Sequence, residues 1–235
     1  MFEREHHRLV AQVLEALDAE ILADHHCLFG GGTAIALRYG EFRESVDIDF
    51  LVSDIDGYRG LRELIKANGV EALVRTGQQL HPLRDVRADQ YGIRTVLQAE
   101  DAPVKFEIVL EGRIHFDPPG ARDRVCGLAT LAPVDMAASK LLANSDRWAD
   151  DAVYSRDVID LAMMSPSRDL LRAAAAKAAS AYGSSIERDL TKAVAALRDR
   201  PGRLDRCMQA LRMTDVPKAV LWQQIRALPK SISTG

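Results

Sequence analysis

No apolar run in this 235-residue chain approaches the roughly 18 consecutive residues that a membrane-spanning helix needs. The opening residues, Met1-Phe2-Glu3-Arg4-Glu5-His6-His7-Arg8, lack the apolar core of a secretory signal, so the cytoplasm is the expected compartment and no membrane partner is expected. Cysteine is scarce: Cys27, Cys126 and Cys207 are odd in number and far apart, which excludes a disulfide framework and a cysteine-based zinc site. No internal repeat or low-complexity tract occurs. Aromatics are thin throughout, and the C-terminal stretch holds only Tyr182 and Trp222, too few for a ladder of stacked bases. What is present is a globular composition, 47% hydrophobic and 28% charged, enough for one large core or two small ones and too apolar for disorder.

The net charge of -3 conceals a division. Residues 168–235 carry 13 Lys and Arg against 6 Asp and Glu, whereas residues 1–167 are net acidic by 10. An acidic first part suits cation binding. A basic second part suits either a polyanion such as RNA or docking against the acidic part.

Two short motifs carry the chemistry. Phe29-Gly30-Gly31-Gly32-Thr33 is a glycine turn in which the backbone can approach a phosphate, and Thr33 to Tyr39 reads as a helix whose free N–H groups face that ligand. Thr33 adds a hydroxyl donor, and Ala34, Ile35, Ala36 and Leu37 seat the helix on a sheet. Thirteen residues separate Thr33 from Asp47-Ile48-Asp49-Phe50. Read as a strand with Val46, this segment puts Asp47 and Asp49 on one face and Val46, Ile48 and Phe50 on the other. Two like charges on one strand face repel unless a cation neutralises them, and Mg²⁺ prefers carboxylate and phosphate oxygens. Alternation carried back from Asp47 adds the Ser45 hydroxyl to that face.

Around these motifs, Leu9 to Leu22 has the spacing of an amphipathic helix, and Cys27 to Phe29 that of a short strand. His25 and His26, before that strand, suit a loop or cap role. Asp54 or Asp56 can cap a helix from about Tyr58 to Ala67 that Asn68-Gly69 ends. Val70 to Arg75 reads as a return to the sheet, and Thr76 to Gln90 as an exposed loop. Ile93–Gln98 and Val104–Leu110 form a hairpin, with Phe106, Ile108 and Leu110 on one face and Lys105, Glu107 and Val109 on the other. From Leu131 the pattern turns helical: Pro133 to Trp148, Tyr154 to Met164, then Arg168 to Leu197 and Leu204 to Leu228 with breaks at Gly183-Ser184-Ser185 and Pro201-Gly202. Lys140 and Arg147, seven apart, share a face of the first of these helices; Asp157 and Asp160, three apart, share a face of the second. The expected division is a catalytic domain over 1–130 and a helical domain over 131–235.

Gly31-Gly32-Thr33-Ala34-Ile35-Ala36-Leu37-Arg38-Tyr39-Gly40, then Arg43, Ser45 and Asp47-Ile48-Asp49-Phe50, resembles the signature of the AbiEii/AbiGii toxin-type nucleotidyltransferases in the DNA-polymerase-β-like superfamily. Ala137-Ala138-Ser139-Lys140-Leu141-Leu142 and Arg156-Asp157-Val158-Ile159-Asp160-Leu161 resemble that family's downstream motifs, and the likeness extends over about residues 25–165. It implies an α+β fold, a mixed sheet with flanking helices and a C-terminal helical domain that completes the nucleotide site and can bind the acceptor.

The same resemblance implies an enzyme that moves NMP from an NTP to an acceptor. Asp47, Asp49 and Glu107 would be the metal carboxylates for two Mg²⁺ ions, Glu107 standing where the family usually has Asp, with Asp117 as the fallback. Lys140 would neutralise triphosphate charge, and Asp157 would orient the nucleotide or pair with Lys140, leaving Asp160 a structural role. Gly31, Gly32, Thr33, Arg43, Ser45 and Arg147 would complete the nucleotide site; for Arg147 a salt bridge to Asp150 or Asp151 is the other reading. The implied acceptor is tRNA and the implied setting a bacterial toxin with a cognate antitoxin. Protein or small-molecule acceptors such as aminoglycosides are the alternatives, as is a non-catalytic nucleotide-binding protein of the same fold.

Because Ser45 lies two residues before Asp47, a phosphate or carboxylate there would bring up to about two negative charges beside the metal site. Ser45→Glu is therefore expected to lower NTP binding more than tenfold, roughly, measured by equilibrium titration; unchanged binding would take Ser45 out of the site.

Overall fold

A computed structural model describes residues 2–100 and 102–232. Asp101, inside the expected hairpin turn, lies outside the described residues. The chain forms two compact units, one of Met1–Arg38 with Ser45–Ala132, the other of Tyr39–Glu44 with Pro133–Gly235. The class is the α+β arrangement expected: a mixed sheet with flanking helices, followed by a helical C-terminal part.

In the first unit, α1 (Glu5–Ala16) and α2 (Ala19–Asp24) precede β1 (Leu28–Gly30), α3 (Gly31–Arg38), β2 (Ile48–Val52) and α4 (Ile55–Asn68). Then come β3 (His81–Pro82), β4 (Arg87–Ala88), β5 (Gly92–Ala99), β6 (Ala102–Leu110) and the small hairpin of β7 (Arg124–Val125) with β8 (Leu128–Ala129). The main sheet runs β1-β2-β6-β5-β3, with β4 also on β5. Only the β2–β6 contact is parallel among these described pairs. Phe29, Phe50 and Phe106, all buried, stack across β1, β2 and β6 with ring centroids 5.5 and 5.7 Å apart, so the apolar face of each strand supplies one layer of the core.

Four local expectations change. The single helix over Leu9–Leu22 is two, because Asp18 caps a new one: its carboxylate accepts from the N–H groups of Glu20 and Ile21 while its own N–H donates to Leu73 O at 2.8 Å. Val70–Arg75 does not return to the sheet. Gly69, at φ +73°, turns the chain after Asp54-capped α4, and Val70–Leu73 coils into a 3₁₀ turn that buries Val70 and Leu73 at its three-residue repeat, leaving one bridge, Leu17 to Val74. The exposed Thr76–Gln90 stretch contains β3 and β4, two-residue strands that line the open edge of β5. Val46 is 39% exposed rather than in the core, because β2 begins only at Ile48.

The second unit is helical: α5 (Pro133–Arg147), α6 (Arg156–Met163), α7 (Arg168–Tyr182), α8 (Ser185–Asp199), α9 (Arg203–Ala210) and α10 (Lys218–Ile232). α5 packs on α6, α7 and α8, and α10 closes the same three. Asp135, fully buried in the first turn of α5, receives Lys177 Nζ at 2.5 Å, so the α5–α7 contact contains a satisfied ion pair.

Candidate functional site

The glycine turn and the carboxylate strand meet inside the first unit. β1 ends at Gly30, paired with Asp49 across the antiparallel ladder, and α3 starts at once with Gly31 at φ +66°. A Cβ on Gly31 would overlap Asp49 Oδ2 and stand 2.8 Å from the Asp49 Cβ, so this position excludes side chains on both conformational and steric grounds. The Asp49 carboxylate is thereby set against the N-terminus of α3, where unpaired backbone N–H groups favour anions. At the other end of α3, Arg38 holds the helix in place through Asp123 Oδ1 and Thr130 Oγ1, both at 2.8 Å.

Thr33 is buried, and its hydroxyl bonds within the protein. It donates to the Asp47 carbonyl at 2.5 Å and accepts from Ser45 Oγ at 2.8 Å, tying the glycine turn to the approach of β2. Ser45 and Asp47 lie ahead of the strand, so pleat alternation governs Asp49 but not these two. Ser45 N–H donates instead to Nε2 of the buried His7, at 3.1 Å. Asp47 and Asp49 are both half-buried.

Glu107 is the direct neighbour of Asp49 in the parallel β2–β6 ladder, on the half-buried face. Arg94 of β5, opposite it in the antiparallel register, donates from Nε to Glu107 Oε1 at 2.5 Å. Arg94 is missing from the sequence reading, although counting back from the hairpin turn would have placed it there. Asp117, the fallback carboxylate, is exposed in an irregular segment that borders a cavity of about 870 Å³ with His26, Asp54 and His115.

The donor set suits a hard divalent cation, since carboxylates are its preferred protein ligands. Among the described residues no group of three His, Cys, Asp or Glu is gathered closely enough to hold a metal. Mg²⁺ is characteristically bound through one or two carboxylates with substrate phosphates filling the remaining positions, so Asp47 and Asp49 fit that mode, and Glu107 would first have to leave Arg94.

The second unit gathers the other residues. Lys140 is only 6% exposed, and its Nζ lies 3.0 Å from Asp157 Oδ1 and 2.6 Å from Asp160 Oδ2. Arg147 grips Asp157 with two bonds, Nε to Oδ2 at 2.7 Å and a second guanidinium nitrogen to Oδ1 at 2.9 Å. The salt bridge from Arg147 to Asp150 or Asp151 is not formed; Asp151 pairs with Arg200 and Arg203 instead. Arg43, 4% exposed, clasps the fully buried Asp160 at 2.6 and 2.9 Å, an arrangement spanning 117 residues of sequence that no local signal reveals. The chain enters α6 through two left-handed non-glycine residues, Tyr154 and Ser155, just ahead of Asp157.

Burial alone would push the Asp157 carboxyl up, but the charge of Lys140 and the hydrogen bonds from Arg147 overcome it and hold the group well below the ordinary carboxylate range. A depressed carboxyl stabilises the fold above its unfolded value of 3.8, and that contribution drains away as pH falls below it toward the folded value. Asp157→Asn is expected to cost about 3 kcal/mol in urea denaturation at pH 7, leaving Arg147 without its partner, and to flatten the loss of stability below about pH 4. Gly31→Ala is expected to cost about 1–2 kcal/mol in the same assay and to displace Asp49, detectable in a crystal structure of the variant.

The family model for the AbiEii toxin, described as a nucleotidyl transferase of a type IV toxin–antitoxin system, matches residues 12–228. No curated protein and no solved structure matches the chain significantly. The family match takes in both the glycine–carboxylate site and the Lys140–Asp157 cluster, and no described helix is long and apolar enough to cross a membrane. With most of its length so matched, the chain belongs to the AbiEii family of nucleotidyl transferase toxins.

Proposed function

We propose that the protein uses Mg²⁺ to transfer NMP from an NTP to tRNA, as a toxin restrained by a cognate antitoxin. The observation that carries this reading is the contact between Gly31 and Asp49, which puts a carboxylate beside a backbone anion cradle. A phosphate and a divalent cation compensate each other's charge at such a place. In the reaction a hydroxyl oxygen of the acceptor attacks the α-phosphorus in line, the bond to the β-phosphate oxygen breaks, and pyrophosphate leaves. Asp47 and Asp49 would hold the cation. When bound, the cation supplies neutralisation of triphosphate charge. Glu107 Oε1 is our candidate to take the hydroxyl proton, once Arg94 releases it.

For the helical unit, Lys140 and Arg147 are our candidates for neutralising the triphosphate, and Asp157 for keeping both cations aimed. The surplus of basic residues over 168–235 supports RNA as acceptor, because phosphate contacts dominate nucleic-acid affinity. The paired state of Glu107 favours a second reading, a protein that binds NTP without turnover.

The test is incubation with each α-³²P-labelled NTP, Mg²⁺ and total bacterial RNA, alongside an Asp47→Ala/Asp49→Ala control. Label on tRNA that vanishes in the control is the expected result and names the nucleotide. Label on protein would move the acceptor class. NTP binding with no labelled product and no pyrophosphate would sink transfer in favour of the second reading.

A further inference from the structure

His7 is buried completely, yet it lies ahead of the family match, and the transfer reaction proposed above gives it no role. It belongs to α1, whose inward face continues through Val10, Ala11 and Leu14 and packs against β5 and β6. An imidazole on such a face has to satisfy its polar atoms within the protein. Nε2 does so by accepting the backbone N–H of Ser45 at 3.1 Å, which requires that Nε2 carry no proton.

The location of that bond gives it a consequence. Tyr39–Glu44 folds with the second unit, so Ser45 is the first residue of the chain to rejoin the first unit. Asp47 is the second residue after Ser45, and β2 starts at the third, Ile48. Neither Ser45 nor Asp47 has a ladder partner, because β1 pairing ends at Asp49 and β6 pairing begins at Ile48. The segment is held by a relay: His7 fixes the Ser45 amide, Ser45 Oγ donates to Thr33 Oγ1, and Thr33 donates to the Asp47 carbonyl. Thr33 sits in the first turn of α3, so the relay sets the carboxylate approach and the glycine turn in one geometry.

We propose that His7 is a positioning residue of the nucleotidyl-transfer site, acting through the Ser45 amide to set Asp47 relative to the N-terminus of α3. The proposal rests on the function argued above, since it assigns Asp47 to cation and triphosphate binding. His7 touches no substrate. It works by removing conformational freedom from the three-residue approach 45–47, which has no ladder partner, and alignment of this kind is where catalytic geometry is won or lost.

The full-length protein is compared with His7→Leu, which fills the space without an acceptor, and His7→Gln, whose carboxamide oxygen can accept from Ser45. Each is measured for thermal midpoint, for amide exchange in peptides covering residues 44–49, and for kcat and KM with the NTP and acceptor found for the wild type. In His7→Leu, exchange over 44–49 is expected to quicken and KM for NTP to rise about tenfold, the scale of one lost hydrogen bond; His7→Gln restores both. A merely structural role lowers the folded fraction and with it kcat, leaving KM in place. Equal loss in both variants in step with the thermal midpoint overturns the proposal, as does a folded His7→Leu with wild-type KM and exchange. If the wild type transfers no nucleotide, the functional reading falls on that account alone. Exchange then decides for His7: acceleration confined to 44–49 in His7→Leu and absent from His7→Gln upholds positioning, and unchanged exchange removes it.

Discussion

A parallel pair of neighbouring strands cannot be closed by a tight turn, and the first unit is organised around that constraint at β2 and β6. The chain leaves β2 at Val52 and returns to the same direction at Ala102, and α4, the 3₁₀ turn and strands β3 to β5 all fall within that excursion. In return the parallel register sets Asp49 beside Glu107 with their apolar neighbours Phe50 and Ile108 beneath. β1 then adds on the other side in the antiparallel sense, which brings its C-terminal end, and so the glycine turn, to the Asp49 end of β2. The meeting of glycine turn and Asp49 follows from strand direction before any polar contact is made.

The second unit solves a different problem, the removal of two carboxylates from water. Asp157 and Asp160 sit one helical turn apart on α6, and three cations, Lys140, Arg147 and Arg43, surround them. Lys140 is shared, so neither carboxylate is left with a single neutralising partner. Buried pairs of this kind add little net stability compared with apolar packing, but deleting one member leaves a charge stranded. Their value here lies in orientation, since each bond fixes the direction of a charged group that water would otherwise leave free.

Much of this was legible in the sequence wherever a short-range rule governs. The glycine turn, the inward face of Phe106 and Ile108, the outward face of Glu107, the shared face of Lys140 and Arg147 and the helical C-terminal part all follow from helix and strand periods. The rules failed at their edges. Alternation was carried back to Val46, Ser45 and Asp47, where no strand exists to enforce it. Apolar spacing ran through Leu17–Asp18, where a cap wins over periodicity. Long-range partners were invisible for a different reason: the clasp of Arg43 on Asp160 and the reach of His7 to Ser45 depend on tertiary placement, and composition carries no trace of it. His7 did leave one sign, its place on the apolar face with Val10, Ala11 and Leu14, which marks it as buried and hence as bonded.

The clasp of Arg43 on Asp160 also bears on how the chain comes to be folded. Residues 39–44 precede α6 by more than a hundred residues, so the ion pair can form only after α6 has been synthesised. The connection between α3 and β2 is thus bound into the second unit through a residue far downstream of it. A fragment beginning at Pro133 would contain every helix of the second unit and still lack this cation, leaving Asp160 to Lys140 alone. The architectural boundary before Pro133 therefore separates Asp160 from one of its two cations.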